Sequence, residues 1–266
     1  MTYKLIALDV DGTLLNDEHQ LSEANKEAIA EVTRRGSRIV LCTGRNPKNA
    51  IPIMKEMGLT GYVLADNGAV TVAVEDSQVL HQYGMDARGL DPYIAYCRER
   101  GIHFDVNTAF DLYVDNVEHL AQEAMYMYEH LELVPATLPS WEEVAEPIVK
   151  FTAFAQREVI EQAIKDWGLW DPVFTVTRSG EFFIDIMHPQ ASKGNALKEL
   201  AARLDIPREE VLAIGNYFND ISMLTYAGLG IAVDNSPVEV KAAADAVTLS
   251  NNENGVRAAL LEYALN

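Results

Sequence analysis

Asp9 and Asp11 follow a short apolar run, Leu5 to Leu8, within the stretch KLIALDVDGTLL. The run predicts a buried parallel strand. Side chains alternate along an extended strand, so both carboxylates would face one side, with Val10 opposite. Two carboxylates together are costly unless a cation neutralises them. The C-terminal end of a strand is also where open α/β sheets place their ligands. A functionless surface Asp-x-Asp turn sits poorly with four preceding apolar residues. A calcium loop would need Gly at its sixth position and an acid at its twelfth, where this chain has Leu14 and Gln20.

Three more places carry polar residues of matching chemistry: Thr43 after RIVLC, Lys193 near a helix start, and Asn216, Asn219 and Asp220 after VLAIG. Each alone has an ordinary explanation, as a cap, a solvated lysine or a helix-dipole partner. If the strands are parallel, the strand ends share one edge of the sheet and can converge. Together they describe an anionic metal nest with a hydroxyl and an ammonium beside it. That set suits phosphoryl transfer, which needs neutralised phosphate oxygens, an in-line nucleophile and a proton for the leaving alkoxide. A carboxylate can attack phosphorus directly, and Mg²⁺ is the hard, octahedral cation shared between carboxylates and phosphate.

The elements that must position these residues alternate strand and helix. Ser22 caps a helix ending at Gly36, Arg38 to Cys42 form a second strand, and Asn46-Pro47 open a helix ending at Gly58. Tyr62 to Ala65 make a third strand, closing on Asp66-Asn67-Gly68. This rhythm predicts a parallel sheet with right-handed crossovers. From Val70 the pattern changes to a hairpin (VTVAV, QVLHQY) and then to an α+β segment. There Phe110–Asp115, Ile148–Ala155, Phe174–Arg178 and Phe182–Ile186 alternate as one-face-buried strands, with a hairpin signal at Ser179-Gly180. Helices fit His119–Leu131 and Arg157–Trp167, with a Ser140/Glu143 capping box between them. Phe110, Tyr113 and Phe182 read as core of this segment rather than a ligand pocket. The parallel rhythm returns after Pro189. Ser192 caps Lys193–Leu204, Val211–Gly215 and Gly230–Val233 are strands, and Ser236-Pro237-Val238-Glu239 is a capping box.

The chain has 266 residues, 48% hydrophobic and 23% charged, with a formal net charge of -19. That charge disfavours nucleic acid and anionic membranes, and it means that a phosphorylated substrate needs locally placed cations. Cys42 and Cys97 suggest no disulfide framework. The N-terminal apolar run is too short for a signal peptide and no stretch reaches a membrane span, so a cytoplasmic location is expected. The partner expected is a small-molecule phosphate monoester, to a monomer or homodimer.

DVDGT (Asp9–Thr13), TGR (Thr43–Arg45), SKG (Ser192–Gly194) and GNYFND (Gly215–Asp220) resemble the four motifs of the haloacid dehalogenase superfamily. Their order, and the large insertion between the second and third, resemble its Cof-type branch with a class IIB cap. The resemblance implies an α/β protein: a Rossmann-like parallel-sheet core (1–83 and 189–266) with an inserted α+β cap domain (84–188) that reads the leaving group. It implies a Mg²⁺-dependent sugar-phosphate phosphatase working through an aspartyl-phosphate. Asp9 would be the nucleophile, and Asp11 would protonate the leaving oxygen and then activate water. Thr43 and the Gly44 amide would hold the phosphoryl group, Lys193 would offset charge, and Asn219 would contact phosphate. The metal would be held by Asp9, the Val10 carbonyl, Asp11, Asn216 and Asp220. Apart from the resemblance, Arg45 and Asn67 are candidates for the rim facing substrate, with a purely structural role as the alternative. The fourth motif usually begins Gly-Asp, and Asn216 removes a negative charge there, which predicts weaker metal affinity. Three alternatives stay open: a phosphotransferase or mutase, a silent phosphate-binding module, and phosphorylated cofactors such as flavin mononucleotide as substrates.

Overall fold

The computed structural model describes residues 3–130, 133–170, 173–179 and 181–266. The chain opens with β1 (Leu5–Asp9), buried at every position, and α1 (Glu23–Arg34), whose cap Ser22 accepts from the Asn25 amide. β2 (Arg38–Cys42) and α2 (Pro47–Glu56) follow, the latter capped by Asn46. Next come β3 (Tyr62–Ala65), β4 (Val70–Ala73) and β5 (Val79–Gln82).

The middle of the chain holds α3 (Asp91–Arg100), β6 (His103–Asn107), β7 (Leu112–Val114), α4 (Gln122–His130) and β8 (Ala136–Thr137). It continues with β9 (Lys150–Phe154), α5 (Arg157–Trp167), β10 (Thr175–Arg178) and β11 (Phe183–Met187). The last third holds α6 (Lys193–Arg203), β12 (Val211–Gly215), α7 (Ile221–Tyr226), β13 (Leu229–Val233), α8 (Val238–Ala243), β14 (Ala246–Thr248) and α9 (Gly255–Tyr263).

These elements form two compact units: the chain up to His81 joined with Ser192–Asn266, and Gln82–Ala191. In the first, eight strands run in the order β14-β13-β12-β1-β2-β3-β4-β5. The six from β14 to β3 are mutually parallel, and β4 turns back antiparallel to β3. β1 lies between β2 and β12, so the first-made strand is paired on both edges. Leu5 and Ala7 pack with Val40, Cys42, Val211 and Ala213 against Ala196, Leu197 and Leu200 of α6 and Met223 of α7. Asp9 is next in that alternation, so the strand that buries Leu5 and Ala7 under α6 also aims Asp9 at the start of α6.

The second unit is a six-stranded sheet, β10-β11-β9-β6-β7-β8. One face carries Phe104, Val106, Phe151, Ala153, Ile184 and Ile186, packed with α3 and α5 around Tyr93 and Trp167. Those two rings meet edge to face at 5.2 Å between centroids. On the opposite face the register sets Asp105 beside Thr152 and Thr152 beside Asp185. The Asp105 carboxylate accepts from Asn107 Nδ2 and from the Tyr128 hydroxyl at 3.1 Å.

Several local expectations need correction. α3, β6 and β8 were not anticipated, nor was the sixth parallel strand β14. The segment His119–Leu131 divides into a 3-10 turn (Val117–His119) and α4, and Leu131 lies outside the described residues. Ser140 and Glu143 do bond to one another, but they close a turn with no helix after it. Ser236 caps nothing: α8 starts after Pro237, and the Ser236 hydroxyl is buried without a hydrogen bond. The hairpin expected at Ser179-Gly180 is present: β10 and β11 pair antiparallel and the Ser179 N–H donates to the Phe183 carbonyl at 3.2 Å, with Gly180 itself outside the described residues. Tyr113 packs on the apolar core, whereas Phe182 is 42% exposed. Among the described residues no helix is long and apolar enough to cross a membrane.

Burial pushes the Asp105 carboxyl up to about 6, against opposing pulls from Lys150, Asn107 and Tyr128. A carboxyl raised on folding favours the native state below its unfolded value and loses that contribution as pH rises through the folded one. Asp105→Asn should therefore gain stability relative to wild type between about pH 4 and 6, by on the order of 3 kcal/mol. Melting curves of both proteins across that window measure it; a constant difference would count against the assignment.

Candidate active site

Asp9 closes β1 with 5% of its surface exposed, and Lys193 opens α6 with 1% exposed. The Lys193 ammonium donates to Asp9 Oδ1 and to Asp220 Oδ1, each at 2.6 Å. Three chain segments thereby meet in one buried ion triad. A single ammonium cannot offset two carboxylates, so the triad keeps a net negative charge. Burial and then the Asp220 charge push the Asp9 carboxyl up, while Lys193 pulls it back. Burial alone would lower the Lys193 pKa, but Asp220 and Asp9 outweigh it and keep the ammonium charged.

Asp220 belongs to a 3-10 turn, Phe218–Asp220, that follows β12. Its Oδ2 accepts from the Asn216 and Tyr217 amides at 2.8 and 2.9 Å, folding the loop around the carboxylate. This loop closes over Gly215, where a Cβ would stand 2.7 Å from Asp220 Cγ. Both Asp220 oxygens are thus engaged, so it holds Lys193 and the loop rather than presenting a free ligand atom.

Asp9 Oδ2 is different. It is buried and makes no well-formed hydrogen bond among the described residues; the Thr13 hydroxyl, likewise buried and unbonded, adds only the weakest of the pulls on the Asp9 carboxyl. An orphaned carboxylate oxygen beside excess negative charge fits a cation. Among the described residues no group of three or more His, Cys, Asp or Glu could hold a metal. Mg²⁺ does not need one, since it is commonly bound by one or two carboxylates plus substrate phosphate and water. Asp9 is the carboxylate here that suits it, and Asn216, whose side-chain nitrogen crowds Gly12, is the side chain beside this turn with a neutral oxygen to offer.

Two expectations about the first motif change. The Val10 carbonyl is already taken, accepting from the Leu14 and Leu15 amides at 3.0 Å each, so it is not offered to a metal. Asp11 lies past the end of β1, in the turn, where strand alternation no longer governs its direction. Its carboxylate does not join the triad. It is gripped by Arg45, with Nε to Oδ2 at 2.9 Å and Nη2 to Oδ1 at 2.6 Å, and His19 stands 3.5 Å away. Burial would raise the Asp11 pKa, but Arg45 and His19 together hold it below the ordinary carboxylate value.

Thr43 follows β2, 1% exposed, with its Oγ1 accepting from the Arg45 amide at 3.1 Å. The Gly44 N–H has no acceptor among the described residues. Asn67, a rim candidate in sequence, turns out to be tightly placed. Asp66, Asn67 and Gly68 are successive left-handed residues at the end of β3, with φ of 47°, 56° and 90°. The Asn67 amide bonds the Thr43 carbonyl at 2.9 Å and its Oδ1 accepts from Asn219 Nδ2 at 2.9 Å. Asn219 is therefore tied to the β3 loop. Cys42, beside the triad, has its thiol pushed up by burial and offers no nucleophile. His188 stacks on Tyr83 at 5.7 Å and accepts from the Gln190 amide.

The family model for haloacid dehalogenase-like hydrolases matches residues 6–260. The chain belongs to this family. It is an enzyme of the hydrolase class, and its two-part α/β architecture is that of other members. A haloacid dehalogenase-like hydrolase from Bacteroides thetaiotaomicron superposes with a TM-score of 0.87 at 26% identity, covering 98% of this chain and 99% of that one. The phosphatase YwpJ of Bacillus subtilis is 31% identical over 279 residues, 95% of this chain and 97% of its own. A second B. subtilis relative, 5-amino-6-(5-phospho-D-ribitylamino)uracil phosphatase YwtE, is 30% identical over 95% of each chain.

Replacing Lys193 by Met should leave two buried carboxylates unopposed, at about 3–5 kcal/mol. With the ammonium gone the Asp9 carboxyl is raised further on folding, so the defect should be smallest at low pH and grow as pH rises. Thermal melts of K193M at pH 5.5 and 8 would measure this; a defect independent of pH would refute the charge argument.

Proposed function

We propose that this enzyme hydrolyses phosphate monoesters of small metabolites, sugar phosphates foremost, through an aspartyl-phosphate on Asp9 and with Mg²⁺ as cofactor. One observation supports this most: Asp9 has one oxygen fixed by Lys193 and the other buried and unbonded. A carboxylate held in that way is oriented yet has a lone pair to give.

In this reading Asp9 attacks phosphorus and the bond to the ester oxygen breaks. Asp11, in its acid form, gives its proton to the departing oxygen. Water then attacks the acyl phosphate, losing its proton to the now ionised Asp11, and the phosphorus–Asp9 bond breaks to release inorganic phosphate. Bound Mg²⁺, held by Asp9 and Asn216, would neutralise phosphate oxygens. Thr43, the Gly44 N–H and Lys193 would hold the same group. Arg45 has two competing partners. While it grips Asp11, that carboxyl has no proton to donate; a phosphate dianion offers the guanidinium a second partner, and Asp11 freed from it can take up a proton.

The inserted unit would serve as a cap that selects the leaving group. The YwtE relative acts on the phosphate ester of a hydroxylated chain, which favours polyhydroxylated leaving groups here too. Free, buried Cys42 and Cys97 suit a reducing cytoplasm.

Asp9→Asn should abolish phosphate release from a metabolite panel while leaving the melting temperature within a few degrees of wild type; retained turnover would refute the mechanism. Asn216→Asp, by restoring a charge to the cation site, should lower the Mg²⁺ concentration giving half-maximal activity. An unchanged Mg²⁺ titration would show that Asn216 is not a metal partner.

A further inference from the structure

The segment leaving β1 is held from outside by three asparagines. Its amides turn inward, with Thr13, Leu14 and Leu15 all donating to the Val10 carbonyl. Its carbonyls point away and are met by side chains from three distant elements. Asn235, in the loop after β13, donates to the Gly12 carbonyl at 2.7 Å. Asn25 of α1 donates to the Leu14 carbonyl at 3.2 Å, and Asn251, after β14, to the Leu15 carbonyl at 3.2 Å. Asn251 also donates to Asp17 Oδ1 at 2.9 Å. Two of the three are fixed in turn: Asn235 Oδ1 accepts from the Asn251 amide at 3.0 Å, and Asn25 Oδ1 from the Arg257 amide at 3.0 Å, whereas Asn251 Oδ1 is buried without a hydrogen bond among the described residues.

Gly12 is the weak point of this segment. It has φ of +76°, and a Cβ there would collide with Asn216 Nδ2, so a residue with the least backbone restraint directly follows Asp11. Something outside the segment must stop rotation at Gly12 from moving its neighbour. Asn235 has the means, because an amide side chain donates and accepts at once and so can span the Gly12 carbonyl and the Asn251 N–H. Aspartate keeps only the accepting half, and alanine neither.

We infer that Asn235 is a positioning residue for Asp11, fixing the Gly12 peptide so that the Asp11 carboxyl stands where the leaving oxygen departs. This rests on the reading of Asp11 as the acid. Asn235 touches neither substrate nor the reacting atoms, and it acts through the backbone.

Proton donation matters most when the leaving group is a poor one. An alkoxide needs the proton, whereas p-nitrophenolate departs without it. The test is therefore kcat/KM, which reports the step that expels the leaving group, measured with Mg²⁺ for p-nitrophenyl phosphate and for simple alkyl phosphates. Asn235→Ala and Asn235→Asp should lose about tenfold or more on alkyl esters. They should lose less than about threefold on p-nitrophenyl phosphate, each variant being measured at saturating Mg²⁺ and below its own melting transition. Asp11→Asn is the control and should show the same selectivity more strongly. If Asp11→Asn loses equally on all esters, the acid assignment fails. If Asp11→Asn is selective but both Asn235 variants lose equally on all esters, or on none, the positioning role is overturned.

Discussion

The Lys193 ammonium, shared between Asp9 and Asp220, is the contact on which the rest of this enzyme's site depends. It joins the end of β1, the loop after β12 and the first residue of α6 at a point almost wholly buried, with Asp9 its most exposed member. Neither carboxylate would tolerate such burial unpaired, and the lysine would not stay charged there without them. Because the charges do not cancel, the triad is stable only as an incomplete arrangement. Its residual negative charge and the unbonded oxygen of Asp9 are one fact seen electrostatically and geometrically.

Around this centre the protein separates a carboxylate fixed by the sheet from one fixed by a turn. Asp9 is locked by burial and by strand pairing on both sides of β1. Asp11, two residues on, lies past the end of β1, and its carboxylate is partnered among the described residues by Arg45 and His19. The same short motif thus supplies one carboxylate whose position is set by the sheet and another whose position is set by a turn. On the proposed mechanism a nucleophile benefits from the first condition, and a group that must alternately hold and release a proton benefits from the second.

Much of this was legible from sequence, for reasons that also explain what was not. β1, β2, β3 and β12 are buried on both faces and read as continuous apolar runs ending in polar residues, so strands and site candidates announce themselves together. β6 hides because His103, Asp105 and Asn107 occupy the alternate positions of one face, and their polarity masks a strand whose other face, Phe104 and Val106, is core. α3 begins with no side-chain cap and carries Pro92 in its first turn, which blurs its start. Alternation along β1 correctly aimed Asp9, but it was carried two residues too far when applied to Asp11. The occupied Val10 carbonyl follows from a turn whose hydrogen bonds have no pattern in residue type. Asn25, Asn235 and Asn251 had no signal at all, because what unites them is contact with one segment rather than spacing in the chain.

The placement of β1 has a consequence for how the molecule is made. One of its edges is covered by β2, completed within the first 42 residues, but the other waits for β12, some two hundred residues later. Lys193 is likewise 184 residues behind Asp9. At about 5–20 residues per second, the nascent chain carries an apolar strand with an open edge for roughly ten seconds or more. During that interval Asp9 lacks the Lys193 ammonium that neutralises it. The inserted unit, emerging in between, can complete its own six-stranded sheet before the unit that brackets it is whole. An enzyme with this topology assembles its ion triad last, so a truncated chain carries the Asp9 motif without the lysine that completes it.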